Sequence, residues 1–207
     1  MFQKDVIPSK TETNLQVNGI RKKITTADYL EWSQIVFLIN QLKKEKDYSM
    51  LMVVALGSYL GLRYSDMVKL CWDDILVSNT LIIEEQKTKK VKRISINHEL
   101  KTLAEWVFLN RKLNSPFTII NKTGKPVSIQ YINRRLKEIR IDYRLKINNF
   151  SVHTFRKSFG RRVYENNFRS EHSLILLSDI LNHSSIAITR RYLGLRQEEI
   201  ADVYLNL

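Results

Sequence analysis

The chain is poor in cysteine, in acid and in long apolar runs, and each shortage removes a class of protein. Cys71 is the single cysteine among 207 residues, so neither an internal disulfide nor a cysteine-based zinc site can form. Set between Leu70 and Trp72, it is expected to fill core. The four histidines His98, His153, His172 and His183 include no close pair of the H-E-x-x-H kind, so no dedicated metal site is expected. The longest apolar run, residues 50–56, falls well short of the roughly 18 residues of a membrane-spanning helix. The start, M-F-Q-K-D-V-I-P-S-K, has no apolar stretch or small-residue cleavage site of a secretory signal, and a cytoplasmic location is the expectation. Internal repeats and low-complexity segments are absent as well.

Acid is the informative shortage. Against 34 Lys and Arg stand 21 Asp and Glu, a net charge of +13 and a pI near 9.8, which favours a polyanionic partner and nucleic acid first. Many basic proteins bind no nucleic acid, so residue chemistry has to decide. With 43% hydrophobic and 27% charged residues the composition is that of an ordinary globular protein. The length suits one substantial core rather than two large domains.

Residues 1–24, with Pro8, Gly19 and many small polar residues, carry no sustained apolar period and read as an arm or linker. The domain is expected to run over residues 25–207. Thr25 or Thr26 offers a helix cap with Asp28 in the first turn, and Ile35, Leu38, Ile39 and Leu42 follow at helical spacing to about Lys46. Residues 48–60 are apolar almost all round, which suits a buried helix closed by Gly61 in a left-handed cap. Arg63 then sits at a helix junction, with Asp66 near the start of the next turn.

From Ile75 the pattern changes to short alternating stretches, I-L-V, L-I-I-E-E-Q and V-K-R-I-S-I, which predict a small three-stranded antiparallel sheet. Residues 87–90 fill a hairpin turn, and alone that lysine cluster reads as an exposed, edge-protecting tip. Helical spacing resumes over residues 98–113. Ser128 caps a helix over residues 129–140 with an apolar face of Ile132, Leu136 and Ile139 and with Arg134, Arg135, Lys137 and Arg140 on the others, a basic face suited to DNA. Further helices are expected over residues 154–166, 173–181, 185–192 and 197–205. The fold class is mainly α with one small sheet, an α+β domain.

Singly, the polar residues near the end of the chain are unremarkable: H-T-F-R alone is a helix start with a surface arginine. Jointly they are specific. G-L-R-Y-S-D, E-Q-K-T-K-K before a basic strand, H-T-F-R, L-N-H-S-S and then R-R-Y-L occur in one order, and over residues 25–195 the chain resembles the tyrosine recombinase family, the phage integrases and site-specific recombinases. The resemblance implies that family's catalytic-domain fold and a catalytic set of Arg63, Lys87, His153, Arg156, His183 and Tyr192. Lys87 shares its turn with Lys89 and Lys90, and Lys92 follows on the next strand, so the lysine depends on hairpin register.

The chemistry explains why such residues belong together. A phenol with a reference pKa of about 10 needs help to lose its proton before attacking phosphorus. His153 is the candidate base, while Arg63, Arg156 and His183 can donate hydrogen bonds to the non-bridging oxygens. By resemblance Lys87 protonates the departing 5′ oxygen, Tyr192 becomes a 3′-phosphotyrosine, and no cofactor or metal is needed. Expected partners are double-stranded DNA and further copies of the chain, in a tetramer on paired sites with the tail, residues 197–207, docked on a neighbour. A membrane partner is not expected.

Three departures from the family pattern stand out. Asp66 replaces a frequent Glu and is expected to orient Arg63 or His153. Asn182 replaces the usual Gly before His183, tolerable because Asn accepts left-handed backbone. Only residues 1–24 precede the domain where the family usually carries a DNA-clamping helical domain, which leaves open a fragment or a catalytic-domain-only member. A non-cutting DNA-binding factor of this fold and a topoisomerase with the same chemistry are the alternatives; the filled site speaks against the first, and the family resemblance favours the recombinase over the second.

Overall fold

The computed structural model describes residues 27–112 and 114–206, with the backbone alone for residues 196–199. The arm, residues 1–24, and the expected caps Thr25 and Thr26 lie outside the described residues. Helix α1 (Trp32–Glu45) begins later than its apolar pattern suggested. Asp28 is not in its first turn, because its carboxylate accepts the N–H groups of Asn148 (3.2 Å) and Asn149 (3.0 Å), while the Leu30 N–H donates to Ser158 Oγ at 2.8 Å. These bonds hold residues 28–30 outside the helix, and Glu31 and Gln34 form a reciprocal capping box instead. The expected face of Ile35, Leu38, Ile39 and Leu42 is buried.

Helix α2 (Tyr48–Leu60) is capped by Asp47, which accepts the Met50 N–H at 3.3 Å, and closes on Gly61 with φ 61°. It is buried nearly all round, as its composition requires. The short α3 (Tyr64–Met67) follows directly after Arg63. Residues 75–77 belong to no strand: α4 (Trp72–Leu76) takes the first two and Val77 caps its end, because Asp74 accepts the Cys71 N–H at 2.7 Å and Asp73 and Asp74 favour a helix N-terminus. The sheet of the described residues therefore has two strands and not three, β1 (Thr80–Glu84) antiparallel to β2 (Val91–Ser95) with Ile82 opposite Arg93.

Helix α5 (His98–Asn110) starts at Asn97, which accepts the Leu100 N–H at 2.8 Å, and stops short of residue 113. There Arg111 turns its guanidinium onto the carbonyls of Ser115 and Phe117. Helix α6 (Ile129–Asp142) starts at Ser128 and buries Ile132, Leu136 and Ile139. Its basic surface is narrower than its composition suggests: Arg135 pairs with Glu45, Asp47, Glu138 and Asp142, and Arg140 donates to the Asn148 carbonyl. Arg134 and Lys137 remain on the exposed side.

The rest is α7 (His153–Asn166), α8 (Glu171–Ile180), α9 (Ile186–Leu193) and α10 (Leu195–Leu205). The larger core gathers α1, α2, α5 and α6 around Phe155 of α7. A smaller one, with Tyr164, Leu174, Leu177, Leu181, Leu193 and Leu195, lies among α7, α8, α9 and the start of α10. Helix α7 thus belongs to both, and its N-terminal turn opens beside the seam. No helix of the described residues is long and apolar enough to cross a membrane.

The contact of α2 with α7 leaves no room for another carbon. A Cβ built on Gly57 would lie 2.7 Å from Phe155 Cβ, backbone-near and unable to swing aside. Gly57→Ala is therefore expected to cost about 1–3 kcal/mol of stability by forcing the helices apart. Urea unfolding checks this, and an unchanged midpoint would contradict so close a crossing.

Candidate active site

Residues from four separate stretches line one cleft of about 370 Å³. Helix α7 contributes His153 from its first residue and Arg156 one turn later, on the same side by helical spacing. Its start is held by the Val152 N–H on Asn133 Oδ1 at 3.1 Å. Arg63 enters from the junction of α2 and α3, Lys87 and Thr88 from the hairpin turn, and Asn182, His183 and Tyr192 from the loop between α8 and α9 and from α9 itself. All six residues expected from sequence thus stand around the same space.

The two arginines are held by backbone carbonyls. Arg156, 3% exposed, donates from Nη1 to Gly61 O and from Nη2 to Leu181 O at 2.8 Å, and Arg63 donates to the same Leu181 oxygen at 3.3 Å. Leu181 caps the C-terminal end of α8, where unpaired carbonyls and the helix dipole favour cations. Gly61 carries its carbonyl to Arg156 with φ 61°, and a Cβ there would meet Phe159 at 2.5 Å. Glycine at that position serves the turn, the packing and the arginine together.

Asp66 does not take the role expected of it. Its Oδ1 accepts the Gln86 N–H at 2.9 Å, tying α3 to the base of the hairpin, and Arg63 pairs with Glu85 at 2.9 Å instead. Glu85, 0% exposed, also pairs with Lys92 at 2.9 Å. Lys92 donates in addition to the Ile180 carbonyl. Lys89 turns to the exposed Glu84 at 3.9 Å, so among the hairpin lysines of the described residues Lys87 is the one that lines the cleft. Glu85 was not singled out from sequence, and Lys92 was weighed there only beside Lys87 as the hairpin lysine. A signal was present: Leu81, Ile83 and Glu85 alternate onto one face, which sets Glu85 inward and Glu84 outward.

The concentration of positive charge sets the protonation of the rest. Burial, then Arg156, Arg63, Lys92 and Lys87, push His183 down to about 4. Its Nδ1 lies 3.0 Å from Thr189 Oγ1, a contact open to either tautomer; the one in which the threonine hydroxyl donates leaves the ring proton on Nε2. His153 is lowered too, by burial of its ring in the cleft and by Arg156, Arg63 and Lys87, although the residue as a whole is open to solvent. Tyr192 packs edge-on to His183 with centroids 5.2 Å apart. Its hydroxyl is buried, and burial pushes it up to about 12 despite the opposing charge and hydrogen bonding of Arg156 and the charge of Arg63. At neutral pH about one such phenol in 10⁵ is ionised, so a base is needed to take its proton. Among the described residues no group of three or more His, Cys, Asp or Glu is placed to hold a metal ion.

A model of the phage integrase family matches residues 28–199. The chain belongs to the phage integrase family. This integrase-family chain is 32% identical over 168 residues to the probable integrase/recombinase YoeC of Bacillus subtilis, covering 81% of this chain and 87% of YoeC. Its fold is similar to that of the XerA recombinase, with a TM-score of 0.67 at 18% identity over 87% of this chain and 65% of XerA. It is similar also to XerH recombinase bound to palindromic difH substrate in a post-cleavage complex, with a TM-score of 0.64 at 19% identity. That match covers 91% of this chain and 56% of XerH, so the integrase-family chain spans little more than half of that recombinase.

The depressed histidines have a consequence for stability. Both sit below the ordinary value in the folded protein and at about 6.5 in the unfolded chain. As pH falls from about 6.5 towards about 4, the unfolded chain binds protons that the folded protein refuses, so stability is expected to decline through that window. Glu85, held at about 2, contributes above its unfolded value of 4.5 and is lost only below it. Urea midpoints at about pH 7 and about pH 5 isolate the histidines. His183→Asn should flatten the decline, and a wild-type midpoint equal at both would contradict neutral rings.

Proposed function

We propose that the chain is a site-specific DNA recombinase that cuts and rejoins strands through a 3′-phosphotyrosyl intermediate on Tyr192. The observation that carries this reading is a buried phenol in one cleft with Arg63, Lys87, His153, Arg156 and His183. Membership of the integrase family and the net charge of +13 support it. XerH, a protein of the same fold, is bound to difH substrate in its complex.

A scissile phosphate enters the cleft with its non-bridging oxygens toward Arg63, Arg156 and the Nε2–H of His183. Guanidiniums suit the task because they stay charged and bind phosphate in a fork. Tyr192 Oη attacks phosphorus, its proton passes to neutral His153, and the bond from phosphorus to the 5′ oxygen breaks as Lys87 protonates that oxygen. The phosphate diester count is unchanged, so a 5′ hydroxyl of another strand reverses the sequence and joins strands without ATP. Neutral His153 fits a proton acceptor, and exposed Lys87 on a turn is free to follow the DNA.

Double-stranded DNA is the proposed substrate, acted on by a tetramer that holds two sites together. Helix α10 packs on α9 and exposes Ile200, Val203, Tyr204 and Leu205, which suits the docking of residues 197–207 on a neighbouring copy.

On a suicide DNA substrate bearing its recombination site, the wild-type protein is expected to form a denaturation-resistant covalent adduct and Tyr192→Phe none. An adduct with the phenylalanine variant would sink the nucleophile assignment. Deleting residues 197–207 should leave cleavage of a single site in place and abolish strand exchange between paired labelled duplexes. Exchange at the wild-type level would contradict the docked tail.

A further inference from the structure

Glu85 is the most deeply buried acid of the described residues, at the base of a hairpin whose neighbouring Glu84 is exposed. A carboxylate taken out of water is strongly unfavourable unless both oxygens are paired and hydrogen-bonded. Here both are. Oε1 meets Arg63 Nη1 and Lys92 Nζ, each at 2.9 Å, and Oε2 accepts from Thr88 Oγ1 at 2.7 Å and Asn182 Nδ2 at 2.6 Å. Arg63, Thr88 and Asn182 line the cleft while Glu85 stands behind its wall.

Those partners belong to three segments that sequence keeps far apart. Arg63 is the arginine at the junction of α2 and α3, Thr88 is next to Lys87, and Asn182 is next to His183. Asn182 holds φ 49°, a left-handed conformation that glycine adopts more easily. Its amide on Glu85 gives the asparagine a task that glycine could not perform.

We infer that Glu85 is a positioning residue for the proposed cleavage reaction, fixing Arg63, the Lys87 turn and the His183 loop at one spacing through its four partners. The inference rests on the recombinase reading above. Lys92 extends the same clasp to the C-terminal end of α8 through the Ile180 carbonyl. Burial alone would raise the Glu85 pKa, but the hydrogen bonds from Lys92, Thr88 and Asn182 outweigh it and hold the group at about 2, so the clasp is charged throughout the working pH range. A neutral glutamine at this position removes the anion that balances Arg63 and Lys92, which can only donate, and any NH₂ it turns towards them leaves them without an acceptor.

The test uses the full chain labelled with ¹⁵N-arginine. An arginine pinned by an ion pair rotates slowly about its Nε–Cζ bond and shows resolved Nη signals, and Arg63→Lys identifies those of Arg63. In Glu85→Gln the Arg63 signals are expected to average, while those of Arg156, held by the carbonyls of Gly61 and Leu181, stay resolved. At saturating suicide substrate the same variant should form adduct on the order of 100-fold more slowly, with DNA affinity unchanged, because misplacement of catalytic groups falls on the rate and not on binding. Glu85→Asp keeps the charge one methylene further back and is expected to lie between the two in both readouts, and it decides the matter if the glutamine variant does not fold. Arg63 signals that stay as in the wild type, or a wild-type adduct rate, overturn the inference. Should the wild-type protein form no adduct at all, the recombinase reading fails, and the arginine signals alone decide whether Glu85 holds Arg63.

Discussion

Arg63 and Lys92 share one carboxylate oxygen of Glu85, and the cleft is arranged around that buried anion. Bringing Arg63, Lys92 and Arg156 into one region sets like charges against each other in surroundings that water screens poorly. Two features offset the repulsion. One is Glu85; the other is the C-terminal end of α8, whose Ile180 and Leu181 carbonyls accept from all three cations. The same helix end then passes directly into Asn182 and His183, so the groups that neutralise the cations also place the histidine loop.

The residual positive charge has a chemical consequence. Together with burial, the larger cause, it keeps His153 and His183 neutral, while burial keeps the Tyr192 phenol protonated. A phosphodiester entering the cleft brings negative charge to that surplus and moves both rings back towards protonation. With a pKa of about 12, the Tyr192 phenol is almost wholly protonated at neutral pH.

Helix α7 transmits this arrangement to the rest of the domain. Phe155 anchors it in the larger core against Gly57, Gly160 and Tyr164 pack it on the smaller one, and His153 and Arg156 stand between. Arg156 is consequently placed by packing on both sides, and its two carbonyl partners, Gly61 and Leu181, come from opposite sides of the seam. Residues 27–32 lie over the same helix, with Lys157 donating to the Ala27 carbonyl at 3.0 Å and Arg162 stacked 3.8 Å from the Trp32 ring centroid.

Most of the helices were legible because their apolar spacing and caps are local: Asp47, Asn97, Ser128 and Ser185 each accept an N–H within their own first turn. The failures were places where a distant partner prevailed. Asp28 left the first helix for Asn148 and Asn149, and Arg135 left the basic face of α6 for Glu45 and Asp47. The supposed first strand failed for a local reason, since Asp73 and Asp74 make residues 72–76 a helix start. By itself the sequence determined the family, the order of motifs and the six residues around the cleft, because each motif carries its chemical group within a few residues. Only the tertiary structure decided which carboxylate meets Arg63, which lysine faces the cleft and which is spent on Glu85. Those choices depend on hairpin register and on a buried charge that must find every donor within reach, and neither is written in local spacing.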